Sequence, residues 1–189
     1  MNGVYQADEG YTGLGTATVE VASTGGGSDE DFIGVIERTG ANPKFPSGIT
    51  QIGAFAFYAN GTLVNPEIPE GVTFIGNNAF QLCTNLVLGK LPNSIEEIGS
   101  TAFTGCSNLE LPYLPKNLKK IGANAFNGCQ KLALTSLPDR LEELGGQAFM
   151  ACEGLKTISI PASCVTYGYA PFQNCLDLNT VTFQGMSPV

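Results

Sequence analysis

Cysteine carries the most reactive side chain in this sequence, and its spacing is regular. Five of the six cysteines recur every 23 residues, as Cys83, Cys106, Cys129, Cys152 and Cys175. Such thiols could form disulfides, bind a metal ion or act as nucleophiles. The sequence has no CxxC pair and no His, which argues against a metal site. Because equivalent side chains of stacked repeats point the same way, we interpret all six, Cys164 included, as buried thiols that pack as small hydrophobic groups.

Three charged pairs offer a second kind of chemistry at the same spacing. They are Glu96-Glu97, Lys119-Lys120 and Glu142-Glu143. Paired carboxylates can hydrolyse glycosidic bonds, but here a lysine pair falls between the two glutamate pairs and neutralises them. We therefore predict an exposed ladder of ion pairs between adjacent repeats, and no enzyme. The lack of His also excludes mechanisms that use a histidine base or nucleophile.

Composition narrows the class of protein further. The 189 residues are 43% hydrophobic and 14% charged, which suits a folded domain with a sizeable core. The net charge of −8 has the wrong sign for binding nucleic acid. No apolar run approaches the ~20 residues of a membrane helix. We expect a protein or glycan partner, no membrane insertion and no cofactor.

A 23-residue repeat positions these side chains. Six copies follow one another without insertion over residues 46–183. Equivalent residues of successive copies are therefore 23 positions apart, and we call each such position a slot. The phenylalanine slot is filled by Phe57, Phe80, Phe103, Phe126, Phe149 and Phe172. We expect these rings to fill the interior of the fold. The glycine slot is filled by Gly53, Gly76, Gly99, Gly122, Gly145 and Gly168. A period of this length is typical of solenoids, in which each repeat adds one coil to a stack.

The local pattern predicts the structure of one coil. A strand should end at the residue before each repeat proline, since proline cannot continue a hydrogen-bonded ladder. Phe, Cys and Leu at intervals of three predict a short helical turn. The glycine slot predicts either a positive φ or a close backbone approach. Repeats two to four shift one inward leucine by one position, as in Leu86-Leu88-Leu91, so we expect a bulge or bend there.

The complete motif, L-P-x-x-L-x-x-I-G-x-x-A-F-x-x-C-x-x-L, resembles the BspA-like leucine-rich repeats of bacterial surface proteins. The resemblance implies an α/β repeat solenoid. It would be right-handed, with six 23-residue coils, a parallel sheet on the concave face and short helical turns opposite. It also implies adhesion or protein binding, with no catalytic residues to transfer.

The remaining segments are short. Residues 1–24 resemble a small β-rich segment of phage tail and gut-bacterial surface proteins. We interpret residues 25–31 as a glycine-rich acidic linker, residues 32–45 as an N-terminal cap and residues 184–189 as a C-terminal tail.

One surface has a pattern that favours binding. The residue before the last inward strand position should point outwards on the concave face, and this row reads Glu67, Lys90, Tyr113, Ser136, Ser159 and Thr182. A neighbouring outward row includes Glu110, Lys156 and Asn179. An exposed tyrosine beside lysine and hydroxyl groups suits recognition of a protein or glycan. The candidate ligand-binding residues are therefore Lys90, Tyr113, Ser136 and Lys156.

The function that these features favour is a non-catalytic protein- or glycan-binding module of a bacterial cell-surface or secreted, adhesin-like protein. The alternative is a structural or receptor-binding component of a phage tail, since no export signal follows Met1. The first function would place the protein at the cell surface or outside the cell, and the alternative would place it in the phage virion.

The sixth repeat departs from the pattern at Tyr167 and Pro171. Three interpretations fit these changes: the sixth repeat caps itself, it pairs with another subunit, or the given sequence is a fragment of a longer chain. We favour the fragment.

Overall fold

The computed structural model describes residues 42, 43, 45 and 48–185. These residues form a solenoid of six coils, each 23 residues long, which confirms the predicted fold class. The segments assigned as 1–24 and 25–31 lie outside the described residues, as do most of the cap and of the tail. The described part of the chain holds no helix with the length and hydropathy needed to cross a membrane.

A parallel sheet of six very short strands runs along the whole solenoid. Its strands, in spatial order, are β1 (Gln51–Ile52), β2 (Phe74–Ile75), β3 (Glu97–Ile98), β4 (Lys120–Ile121), β5 (Glu143–Leu144) and β7 (Thr166–Tyr167). Each residue pairs with the one 23 positions later, as Ile52 does with Ile75. The second residue of β1 to β5 is fully buried. The sheet therefore lies at the position before the repeat glycine.

A second sheet occupies the position where the sequence predicts a strand in every coil. It contains β6 (Thr157–Ile160) and β8 (Thr180–Phe183), which pair in parallel. The prediction is therefore wrong for the earlier coils. In repeats two to four the chain bends at Gly89, at Pro112 and Tyr113, and at Thr135, which agrees with the bend expected from the shifted leucine. Pro112 has no N–H to donate to a ladder, whereas β6 alternates buried isoleucines with hydroxyl residues.

The predicted helical turns are absent from the described residues. In the third coil, the N–H groups of Ala102, Thr104 and Cys106 donate to carbonyls three residues earlier in the same coil. The intervening N–H groups, of Thr101, Phe103 and Gly105, donate to the next coil. Thr101 and Gly105 have positive φ angles, 56° and 74°. This geometry gives successive turns rather than a helix, because a right-handed helix keeps φ negative throughout.

Phenylalanine rings form the centre of the core. From Phe57 to Phe172 they stack coil upon coil, with centroids 5.1–5.6 Å apart and planes within 8° of parallel. The first five rings are fully buried, as predicted. Phe45 covers the first ring edge-on, at 5.8 Å from Phe57.

The repeat glycines allow the backbones of adjacent coils to come close together. A Cβ on Gly122 would lie 2.5 Å from the Ser100 backbone nitrogen, and one on Gly145 would lie 2.4 Å from that of Ala123. From Gly76 to Gly168 none of these repeat glycines has a positive φ. Close approach, rather than a left-handed backbone, is therefore what this slot requires.

Candidate functional site

The five regularly spaced cysteines form a ladder of buried thiols inside the solenoid. All six cysteines are buried, as predicted. Each thiol of the ladder donates to the carbonyl oxygen of the phenylalanine in the preceding coil. The Sγ···O distance is 3.0 Å from Cys106 to Phe80 and 3.2 Å from Cys129 to Phe103. Burial raises the thiol pKa of Cys106 and Cys129 well above its usual value. The ladder therefore holds neutral thiols and joins coils together.

The charged pairs form the predicted ladder on the outer side of the six-stranded sheet. Lys119 Nζ lies 2.7 Å from Glu96 Oε2, and Lys120 Nζ lies 3.3 Å from Glu143 Oε2 and 3.9 Å from Glu97 Oε1. The hydrogen bond from Lys119, followed by its positive charge, lowers the pKa of the Glu96 carboxyl. These side chains are roughly half exposed. Solvent therefore screens these pairs, and each contributes little to stability.

A groove of about 1030 Å³ lies at the N-terminal end of the face on which the candidate residues were predicted. Two of them, Lys90 and Tyr113, line it together with Glu67 of the same row. The Tyr113 side chain is 53% exposed, although it lies in the groove wall. Within the described part of the chain, neither Lys90 nor Glu67 forms an ion pair, so both charges are open to a ligand.

The other two candidates lie outside this groove. Ser136 is exposed and pairs with Ser159 through an isolated parallel bridge at the start of the second sheet. Lys156 is exposed, and its carbonyl accepts the Asn179 N–H at 3.0 Å. The structure therefore separates the four predicted residues into a groove pair and a pair nearer the C-terminal end.

The groove also includes residues that were not selected from the sequence. Its remaining lining residues are Asn42, Pro43, Phe45, Asn65, Pro66, Ile68, Pro69, Glu70, Gly89 and Pro92. Asn65 donates its backbone N–H to Asn42 Oδ1 at 2.9 Å, which joins the first coil to the residues that precede it in the groove wall. The sequence did indicate this part of the groove wall, because Asn42 and Asn65 are 23 residues apart, and so are Pro43 and Pro66. Across the described residues, no cluster of three or more His, Cys, Asp or Glu could hold a metal ion.

Solved structures from bacteria share this fold. A leucine-rich repeat protein of T. pallidum is 29% identical with a TM-score of 0.71, over 77% of this chain and 71% of that one. One from Bacteroides ovatus is 32% identical with a TM-score of 0.67, over 76% of this chain and only 37% of that one. A leucine-rich cell surface protein of Faecalibacterium prausnitzii is 24% identical with a TM-score of 0.63, over 78% of this chain and 48% of that one. A comparison with curated proteins gave no match.

The family model for the BspA type leucine rich repeat region matches six copies, over residues 41–133 and 89–187. The match includes all six coils and every residue that lines the groove. With its 23-residue period, its phenylalanine stack and its glycine contacts, the chain belongs to the BspA-type leucine-rich repeat family.

Proposed function

We propose that this chain is a non-catalytic binding module of a bacterial cell-surface or secreted, adhesin-like protein, and that its groove receives an extended segment of a partner protein. Leucine-rich repeats are scaffolds that present a continuous surface to a partner. The surface location rests on the family resemblance. The binding site rests on the groove.

One observation carries the proposal. Glu67, Lys90 and Tyr113 follow one another on consecutive coils, which lie about 4.8 Å apart, and all three line the groove. An acid, a base and an exposed aromatic ring are thus presented in a row. A polypeptide offers charges of both signs and apolar side chains at comparable spacing, whereas a neutral glycan would leave Glu67 and Lys90 without charged partners. The groove therefore favours a protein segment over a glycan.

The prolines of the groove support binding as well. Pro43 and Pro66 are buried and give the wall a fixed backbone that needs no ordering when a ligand enters. Less conformational entropy is then lost on binding. Tyr113 supplies a rigid ring with a hydroxyl, which is the type of side chain that dominates protein interfaces.

The test is binding to matched peptide and glycan arrays, followed by titration of the strongest ligand. The double variant Lys90→Ala/Tyr113→Ala should lose more than about tenfold in affinity. The matched pair Ser136→Ala/Lys156→Ala, outside the groove, should lose much less. Lys116→Ala controls for the loss of one positive charge elsewhere on the surface.

Two results would count against this function. Unchanged binding by the Lys90→Ala/Tyr113→Ala variant would remove the groove as the contact site. A ligand found only on the glycan array would show that the partner is not a protein.

A further inference from the structure

Two Asn-Gly dipeptides lie within the described residues, Asn60-Gly61 in the first coil and Asn127-Gly128 in the fourth, and their surroundings differ. In such a dipeptide the glycine nitrogen can attack the side-chain amide of the asparagine, because glycine has no Cβ to shield that nitrogen. The sequence alone gives both dipeptides the same reactivity. A third, Asn2-Gly3, lies outside the described residues.

The side-chain oxygen of Asn60 accepts two hydrogen bonds from one residue. Thr62 donates its backbone N–H to Asn60 Oδ1 at 3.0 Å and its hydroxyl to the same oxygen at 2.8 Å. Donors aimed at a carbonyl oxygen stabilise the negative charge that develops there when a nucleophile attacks the carbonyl carbon. Thr62 therefore activates Asn60 Cγ in the way that an oxyanion hole activates a substrate carbonyl.

The nucleophile next to this carbon is available. In the part of the chain that the structure describes, no group accepts the Gly61 N–H, although the Gly61 carbonyl accepts the Asn85 side-chain amide at 2.7 Å. Gly61 is exposed, and a Cβ built on it would meet no atom within 4 Å. Its nitrogen can therefore turn towards Cγ without breaking a hydrogen bond, and water reaches the site freely.

The second dipeptide has neither feature. The Gly128 N–H donates to the Met150 carbonyl of the next coil at 2.8 Å, so an attack by this nitrogen would break a hydrogen bond between coils. Asn127 uses its side-chain nitrogen as a donor to Asn124 Oδ1 at 3.3 Å. Among the described residues, no donor contacts Asn127 Oδ1. The fold therefore restrains the nucleophile and leaves the amide carbon without activation.

We propose that Asn60 is a site of spontaneous deamidation in the folded protein, whereas Asn127 is protected. The bond between Gly61 N and Asn60 Cγ forms, the Cγ–Nδ2 bond breaks, and Nδ2 leaves as ammonia with the proton from Gly61 N. Water then opens the resulting succinimide at either of its two carbonyl carbons and gives aspartate or isoaspartate. Both products carry one more negative charge than the original chain.

The isoaspartate product also alters the first coil. Its main chain runs through the side-chain carbons of residue 60 and is one carbon longer between Phe57 and Leu63, which are both 0% exposed. The Asn60 carbonyl, which accepts the Leu63 N–H at 3.4 Å, becomes part of a free carboxylate. Deamidation should therefore loosen the turn that precedes Leu63.

Peptide mapping of the full chain by mass spectrometry, during incubation in a mildly alkaline buffer, tests the proposal. We expect the peptide with Asn60 to convert progressively from amide to acid, with isoaspartate among the products, while the peptide with Asn127 stays unchanged. In concentrated urea the two should react at similar rates, because the fold no longer distinguishes them. A folded chain in which Asn60 stays intact, or in which Asn127 reacts as fast, would overturn the proposal. So would a difference between them that is equally large in urea.

Three variants test the chemistry at Asn60 itself. Thr62→Val removes the hydroxyl donor and keeps the shape of the side chain, so it should slow deamidation severalfold, whereas Thr62→Ser keeps the hydroxyl and should retain the original rate. Gly61→Ala shields the nucleophile and should also slow the reaction, and the open space around Gly61 lets this variant fold. Unchanged rates in both Thr62→Val and Gly61→Ala would overturn the mechanism.

Discussion

The phenylalanine stack makes a quantitative prediction about how stability is distributed along the solenoid. Phe103 is fully buried and contacts a ring on each side, with centroids 5.1 Å from Phe80 and 5.3 Å from Phe126. Phe172 is only half-buried and contacts one ring, Phe149, at 5.6 Å. Truncation to alanine should therefore cost far more in the middle of the stack than at its end.

The magnitudes follow from burial and from the number of ring contacts. Phe103→Ala removes a fully buried ring together with its stacking contacts to Phe80 and Phe126. This loss should lower the free energy of unfolding by about 3–5 kcal/mol. Phe172→Ala removes a partly exposed ring with one such contact, so we expect a loss of about 1–3 kcal/mol. The central variant also weakens the coupling between the two halves of a structure in which coils contact only their neighbours.

Urea unfolding, followed by circular dichroism and by tyrosine fluorescence, measures the free energy of unfolding of both variants. Tyrosine is the fluorescent probe because the chain has no Trp. For Phe103→Ala the two signals should separate, because the halves no longer unfold together. For Phe172→Ala they should coincide. If Phe103→Ala costs no more than Phe172→Ala, the stack does not carry the core energy that its geometry implies.

Further predictions concern single slots of the repeat. Gly122→Ala should lose more than about 2 kcal/mol of stability because its Cβ meets backbone at 2.5 Å, whereas Gly61→Ala, with no atom within 4 Å, should be nearly neutral in the same urea titration. Native protein should protect Cys129 from maleimide until it unfolds, as mass spectrometry would show. Lys119→Met should raise the pKa of the Glu96 carboxyl, which an NMR titration would measure. Because Lys119 lowers that pKa in the folded state, the ionised carboxylate stabilises the folded protein above the ordinary pKa of the group, and this stabilisation is lost as the pH falls through the lowered pKa.

Much of the fold follows from the repeat because each slot of the unit has one environment. The buried phenylalanines, the thiol ladder and the ion pairs between Glu96 and Lys119 were all predicted from spacing alone. Stacking turns a period in sequence into neighbours in space. The glycine slot left two explanations open, and the 2.5 Å approach at Gly122 selects close packing.

The turns and the sheet positions were harder to predict for a physical reason. Apolar residues three apart fit a helix and a series of turns equally well, and only the backbone dihedrals separate them. Positive φ angles at Thr101 and Leu82, 56° and 61°, run against the preferences of those residues. Bonds to the neighbouring coil offset that local cost, and a single sequence window does not contain them.

Part of the groove lining was selected from the sequence, and its role in binding stays a prediction. Lys90 and Tyr113 were selected because one residue per coil was expected to face outwards, and both line the groove. The wall at Asn42 and Pro43 was missed because those residues precede the first complete repeat, where the pattern of buried leucines has not yet begun.

The alternation of hydrogen bonds between Thr101 and Cys106 also governs how a chain of this kind can change its length. One inserted residue there would exchange the N–H groups that serve the same coil with those that serve the next, so bonding to both neighbours would fail together. Insertion of a complete coil keeps every donor opposite an acceptor, because each coil offers the same pattern. Length changes by whole 23-residue units therefore keep the hydrogen bonds between coils intact, whereas a change of one residue does not.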